Sequence, residues 1–248
     1  MDHLLERIRT CTACTQFVPP IPVTPRPVIQ ASQYSKIRII GQAPGTRVYE
    51  SGLPFTDPSG DRLRDWMGVS SAEFFDPDLI AITPMGFCFP GQDARGSDLP
   101  PRKECGPLWQ NSLDEALSQV ELTLIIGMYA IKWHLGDTAK RNLTETVRAW
   151  QSYGPDIIPL PHPSWRNNAW IKRHDWFPDV LQSLKVRIND IIRSQNAKPC
   201  FGLRARCINH FHFIKTGRRR GKAITIVSPR DRCRVHINPC VVTIRLHK

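Results

Sequence analysis

Four short runs rich in branched apolar residues, at 36–41 (KIRIIG), 79–83 (LIAIT), 122–127 (LTLIIG) and 156–162 (DIIPLPH), limit what this chain can fold into. In the first, Ile37, Ile39 and Ile40 form the near-continuous apolar stretch of a strand covered on both faces. Helical patterns lie between and after the runs, at 60–68, 107–119, 128–135, 142–150 and 175–194, with a short amphipathic helix over 2–9. Strands alternating with helices predict an α/β fold, a three-layer α/β/α arrangement around a central, mostly parallel four-stranded sheet. The strand exits at 41, 84, 127 and 162 then open onto one sheet edge, where open α/β sheets place ligands.

The chain has 248 residues, enough for one sizeable core with or without a small appendage. Its formal charge of +12 is not evenly spread. Residues 196–248 hold 13 of the 34 Lys/Arg and a single acid, Asp231, so they carry all of the excess and residues 1–195 are neutral. This divides the chain into an α/β domain over 1–195 and a basic C-terminal segment over 196–248. The segment has a GRRRGK run at 217–222 and widely spaced Cys and His, and reads either as a nucleic-acid-binding appendage or as sequence without an evolved fold. The N-terminus MDHLLERIRTCTAC is charged throughout and no run of about 18 apolar residues occurs, so neither a secretory signal nor a membrane span is expected. The expectation is a cytoplasmic monomer, in whose reducing surroundings the eight cysteines serve as thiols or metal ligands.

Three of the four strand exits carry unusual chemistry. The first strand leaves through GQAPG (41–45), which offers backbone amides and the Gln42 side chain, although an ordinary Gly/Pro turn has the same composition. The last leaves through PHPSWRNNAW (161–170), which packs a histidine, a serine, an arginine and two asparagines behind a proline-stiffened turn.

GQAPG, then GLPF at 52–55, and HPSWRN at 162–167 together resemble the uracil-DNA glycosylase superfamily, which pairs a G-x-x-P-G type loop with an H-P-S-x-x loop. The spacing GQAPG-x6-GLPF-x4-G-x2-L is similar to the iron–sulfur, or family 4, branch, and the resemblance spans roughly residues 4–190. Cys11, Cys14, Cys88 and Cys105 resemble that branch's [4Fe–4S] ligand set. Four thiolates suit a cubane or a tetrahedral zinc equally on ligand type alone.

The resemblance implies a DNA glycosylase of base excision repair. It would hydrolyse the N-glycosidic bond of uracil or a related deaminated base after flipping the nucleotide into a pocket, because the bond is out of reach inside the duplex. Phe55 would stack on the base, Gln42 and the backbone at Ala43 would hydrogen-bond it, and Gly45 would allow close approach. His162 would donate to the departing anionic base. Ser164 and Asn167 would hold phosphates, and Trp165 and Arg166 would fill the gap left in the duplex. Ala43 stands where characterised relatives carry a water-activating aspartate; Asp57 is the substitute, with an N-cap or turn role in TDPSG as its competing explanation. Pro84 stands where the branch carries a uracil-reading asparagine, which points to Met85 and Phe87 as lining of a more apolar pocket and opens hypoxanthine as a substrate. The alternatives are a non-catalytic damaged-DNA or single-strand binding protein of the same fold, and an unrelated phosphate-binding α/β protein with a zinc site.

Overall fold

The four apolar runs become β1 (Ile37–Ile40), β2 (Ile80–Ile82), β3 (Leu122–Ile126) and β4 (Ile157–Leu160). They form one sheet in the order β2-β1-β3-β4 in which every neighbouring pair is parallel. The computed structural model describes residues 1–16, 22–196, 224–227, 233–238 and 241–246. Contacts divide the chain into two units, Met1–Lys198 and Pro199–Lys248.

In the first unit, the helices are α1 (Asp2–Arg9), α2 (Thr46–Ser51), α3 (Pro58–Met67), α4 (Ser71–Phe74), α5 (Asn111–Ala116, entered through a π turn at Gly106–Gln110), α6 (Met128–His134), α7 (Leu143–Arg148), α8 (Asn168–Arg173) and α9 (Phe177–Asn196). Successive strand residues point to opposite faces, and each face has its own cover. Ile37, Ile39, Leu122, Leu124 and Leu160 pack against Leu63 and Met67 of α3 and against α9. The buried residues Val180, Leu184, Ile188 and Ile191 recur along α9 at helical spacing, which is why that helix lies flat on the sheet. Ile40 and Ile125 look the other way, onto Ala130 and Ile131 of α6. Ala81 on that side meets Leu113 of α5 and Leu5 and Ile8 of α1. Helices on both faces of an all-parallel sheet make the three-layer α/β/α fold. Each fully buried Leu, Ile or Phe contributes about 1.5–3 kcal/mol to it.

A buried charge breaks the apolar pattern of β1. Arg38, in the middle of β1, is 5% exposed. Its Nε donates to Thr83 Oγ1 at 2.8 Å and an Nη to Gln110 Oε1 at 2.9 Å, and it forms an ion pair with Asp114. Gln110 in turn donates from Nε2 to the Pro84 carbonyl at 2.9 Å, joining the second helical layer to the loop after β2.

The second unit contains β5 (Ile224–Val227), β6 (Cys233–Asn238) and β7 (Val241–Leu246), an antiparallel sheet in the order β5-β6-β7. The basic run at 217–222 and Cys200, Cys207 and Cys240 lie outside the described residues. No helix among the described residues is long and apolar enough to cross a membrane.

Candidate active site

Parallel strands carry their exits to one edge, and there the loops after β1, β2 and β4 enclose a cavity of about 90 Å³. Its walls include Gly41, Gln42, Ala43, Pro44 and Gly45 from the first loop, Pro54, Phe55 and Asp57 from the next, Pro84, Asp98 and His162. The loops after β1 and β2 are tied backbone to backbone: Met85 N–H donates to the Gly41 carbonyl and Gly86 N–H to that of Gln42, both at 2.9 Å. The Gln42 side chain donates to the Leu99 carbonyl at 3.4 Å.

Phe55 stands on a strained backbone. Its φ of 54° is the one left-handed non-glycine conformation among the described residues, uncommon for a bulky side chain. Two neighbours hold it there. A Cβ on Gly60 would collide with the Phe55 carbonyl oxygen, so only glycine permits the approach, and Arg64 donates to that oxygen at 3.2 Å. The ring meets Phe74 edge-on with centroids 6.1 Å apart, and would stand 3.6 Å from a Cβ on Gly41. Asp57 begins α3 as its N-cap, accepting from Gly60 N–H at 3.2 Å, with Pro58 next in the first turn. The carboxylate therefore has the capping role that was its competing explanation, and it also lines the cavity.

His162 is positioned by its own loop. Nδ1 accepts from the Ser164 backbone N–H at 3.2 Å, which leaves the proton of the neutral ring on Nε2. The Asn167 amide donates to the His162 carbonyl at 2.7 Å and Arg62 of α3 donates to the Ser164 carbonyl at 3.1 Å. Burial holds the His162 pKa below the ordinary histidine value, against the opposite pull of Asp57 and Asp98 and together with the Arg166 charge. The site thus holds an uncharged histidine, with its N–H donor on Nε2, in the wall of the cavity that Phe55 also lines.

The remaining loop residues point outward or brace the turn. Trp165 is 72% exposed, with the Arg166 guanidinium over its ring at 5.6 Å. Asn167 braces His162, and Ser164 supplies backbone groups to His162 and Arg62. Met85 and Phe87, expected in the cavity wall, are placed elsewhere: Met85 packs with Ile40 and α6, and Phe87 with α1 and α5. Both are buried because the chain after Pro84 turns inward across the second face of the sheet.

The cysteines are gathered from three segments. Cys14, Cys88 and Cys105 form a buried cluster with Val23 against it, and Cys11 is half-buried. Burial, followed by the neighbouring cysteine sulfurs, pushes Cys88 up to about 12; burial and Cys14 do the same to Cys105. A cation reverses that balance by coordinating thiolates outright, so the donor set suits a thiophilic metal group. Among the described residues, no three His, Cys, Asp or Glu side chains converge tightly enough to hold a single ion.

Sequence reasoning missed Asp98 and Arg62. Asp98 sits in a polar loop whose composition resembles any surface turn, and Arg62 looks like one more exposed charge on an amphipathic helix; only the tertiary path brings them to the site. The sequence model of the Uracil DNA glycosylase superfamily matches residues 30–185, well over half of the chain and every cavity residue named above.

Proposed function

The chain belongs to the Uracil DNA glycosylase superfamily, and on that premise we propose that it is a monofunctional DNA glycosylase, of the iron–sulfur branch, that releases uracil or a related deaminated base. The observation that carries this reading is the convergence of the Gly41–Gly45 loop, Phe55 and His162 on one cavity. Pro84 offers no side-chain donor, so the base is read by Gln42, by backbone groups and by shape.

Cleavage breaks the C1′–N bond and leaves its electron pair on the base. The His162 Nε2–H is a fixed donor for that developing anion. One such hydrogen bond contributes about 3–4 kcal/mol to the transition state. Phe55, already locked by Gly60 and Arg64, stacks on the base without having to reorganise. Trp165 and Arg166 face outward, where an aromatic wedge and a phosphate contact are needed when the nucleotide leaves the duplex.

Cys11, Cys14, Cys88 and Cys105 would hold a [4Fe–4S] cluster. Four thiolates suit a cubane or a tetrahedral zinc on ligand type alone, and the resemblance to the iron–sulfur branch is what favours the cubane. The cluster would tie the N-terminal arm to the segment bearing Cys88 and Cys105, and would take no part in hydrolysis.

The test is incubation of the full-length protein with single- and double-stranded oligonucleotides bearing uracil or hypoxanthine, followed by cleavage at abasic sites. Abasic product from uracil is expected. Tight, salt-dependent binding without product at enzyme excess would replace this reading with that of a damage-binding protein.

A further inference from the structure

A glycosylase also needs a water delivered to C1′, and position 43, an alanine, supplies no group for it. Two carboxylates face the cavity, Asp57 and Asp98. Asp57 is committed through Oδ1 to the start of α3. Asp98 is differently placed. It closes a small arm running from Gly91 to Leu99, in which Gln92 and Asp98 pair as an antiparallel bridge and Leu99 N–H donates to the Gly91 carbonyl at 2.9 Å. The tip is fixed by Asp93, whose Oδ1 accepts from the backbone N–H groups of Arg95 and Ser97 at 2.8 and 2.9 Å. Gln42 holds the far end through the Leu99 carbonyl.

This arm aims Asp98 at the cavity. Gln92 donates to Oδ1 at 3.1 Å, while Oδ2 lies where a Cβ on Gly45 would stand 3.2 Å away. Glycine at 45 therefore admits a carboxylate oxygen as well as a nucleotide. The charge reaches His162, where Asp98 and Asp57 both oppose the effect of burial. Asp98 is itself exposed, so water has access to it from the mouth of the cavity.

We propose that Asp98 is a catalytic residue: its Oδ2 accepts a proton from the hydrolytic water as that water attacks C1′. The inference rests on the glycosylase reading above. The C1′–N bond breaks with its electron pair on the base, where His162 Nε2–H stabilises it. The water oxygen forms the new bond to C1′, its proton passes to Asp98 and then to solvent, and the base takes up a proton from solvent. The products are the free base and a 1′-hydroxyl sugar.

The experiment compares wild type, Asp98→Asn and Asp57→Asn in single-turnover cleavage of a uracil oligonucleotide, and in binding of an oligonucleotide carrying a non-hydrolysable 2′-fluoro-deoxyuridine. Asp98→Asn keeps the shape and the Gln92 contact; it is expected to lower the cleavage rate by 10²-fold or more, with a binding constant within threefold of wild type and an unchanged melting temperature. Asp57→Asn is expected to lower the melting temperature and to reduce the rate less. An Asp98→Asn rate within threefold of wild type overturns the inference while leaving the glycosylase reading intact. Loss of binding in parallel with rate overturns it as well, by making Asp98 a binding residue. Absence of product from wild type removes the underlying reading and this inference together.

Discussion

His162 illustrates how much one ring depends on its surroundings. The Ser164 N–H occupies Nδ1, so the ring can offer only Nε2–H to the cavity, and burial keeps it uncharged. Replacing it with alanine should slow single-turnover cleavage by about 10²–10³-fold, the usual loss for one fixed donor to a developing anion, with little change in DNA binding. The lowered pKa has a definite sign. Protonation is harder in the folded protein than at the free value of about 6.5, so the cleavage rate should stay level as pH falls past 6.5 and decline only at lower pH. A rate profile that bends at 6.5 would contradict this. Phe55 was visible in the sequence as an aromatic after Gly-x-Pro, but its left-handed backbone was not, because that conformation is imposed by Gly60 from the next element. Gly60→Ala should therefore destabilise the fold by about 3 kcal/mol or more in urea unfolding, far above the cost of an ordinary helical glycine change.

Among the elements, the strands were the easiest to read, since each is a branched-apolar run ending in a Gly or Pro loop. The short helices α2, α4 and α8 were not. Each is four to six residues long, and α4 exists through its capping box, in which Ser70 and Glu73 satisfy one another's backbone groups, more than through periodicity. Least legible was Arg38, a charge inside a strand that sequence alone would place on an exposed edge. Its partners come from positions 45 and more residues distant. His134 of α6 lies beside this group with a buried Nε2 that lacks a hydrogen-bond partner. Burial, reinforced by the Arg38 charge and opposed by Asp114, brings its pKa down to about 4. Because the folded value is depressed, stability is fully present above about 6.5 and is lost as pH falls toward 4. Urea melts across that range should show the decline, and His134→Asn should flatten it. Gln110→Ala should cost about 1–3 kcal/mol, since it strips a partner from both Arg38 and the Pro84 carbonyl.

Over the whole molecule, the cysteines join the N-terminal arm to the body. As a cluster site they should yield a brown protein containing about four irons per chain; Cys88→Ser should lose the colour and lower the melting temperature, whereas a colourless zinc protein would refute the cubane. The sequence singled out these four residues through spacing and resemblance together; ligand type alone left zinc equally open. The charge of residues 196–248 predicts a separable contribution. A chain ending at Lys198, the boundary of the first unit, should keep its single-turnover rate on uracil while its DNA affinity becomes weaker and less sensitive to salt. An unchanged salt slope would assign the electrostatic attraction to the first unit instead.

The hydrogen bonds from Met85 and Gly86 to the carbonyls of Gly41 and Gln42 make the β1 and β2 exits a single rigid piece. Evolution toward a new base would then advance by compensated pairs, one replacement in each exit, and an isolated change in either would read out in the other as lost selectivity.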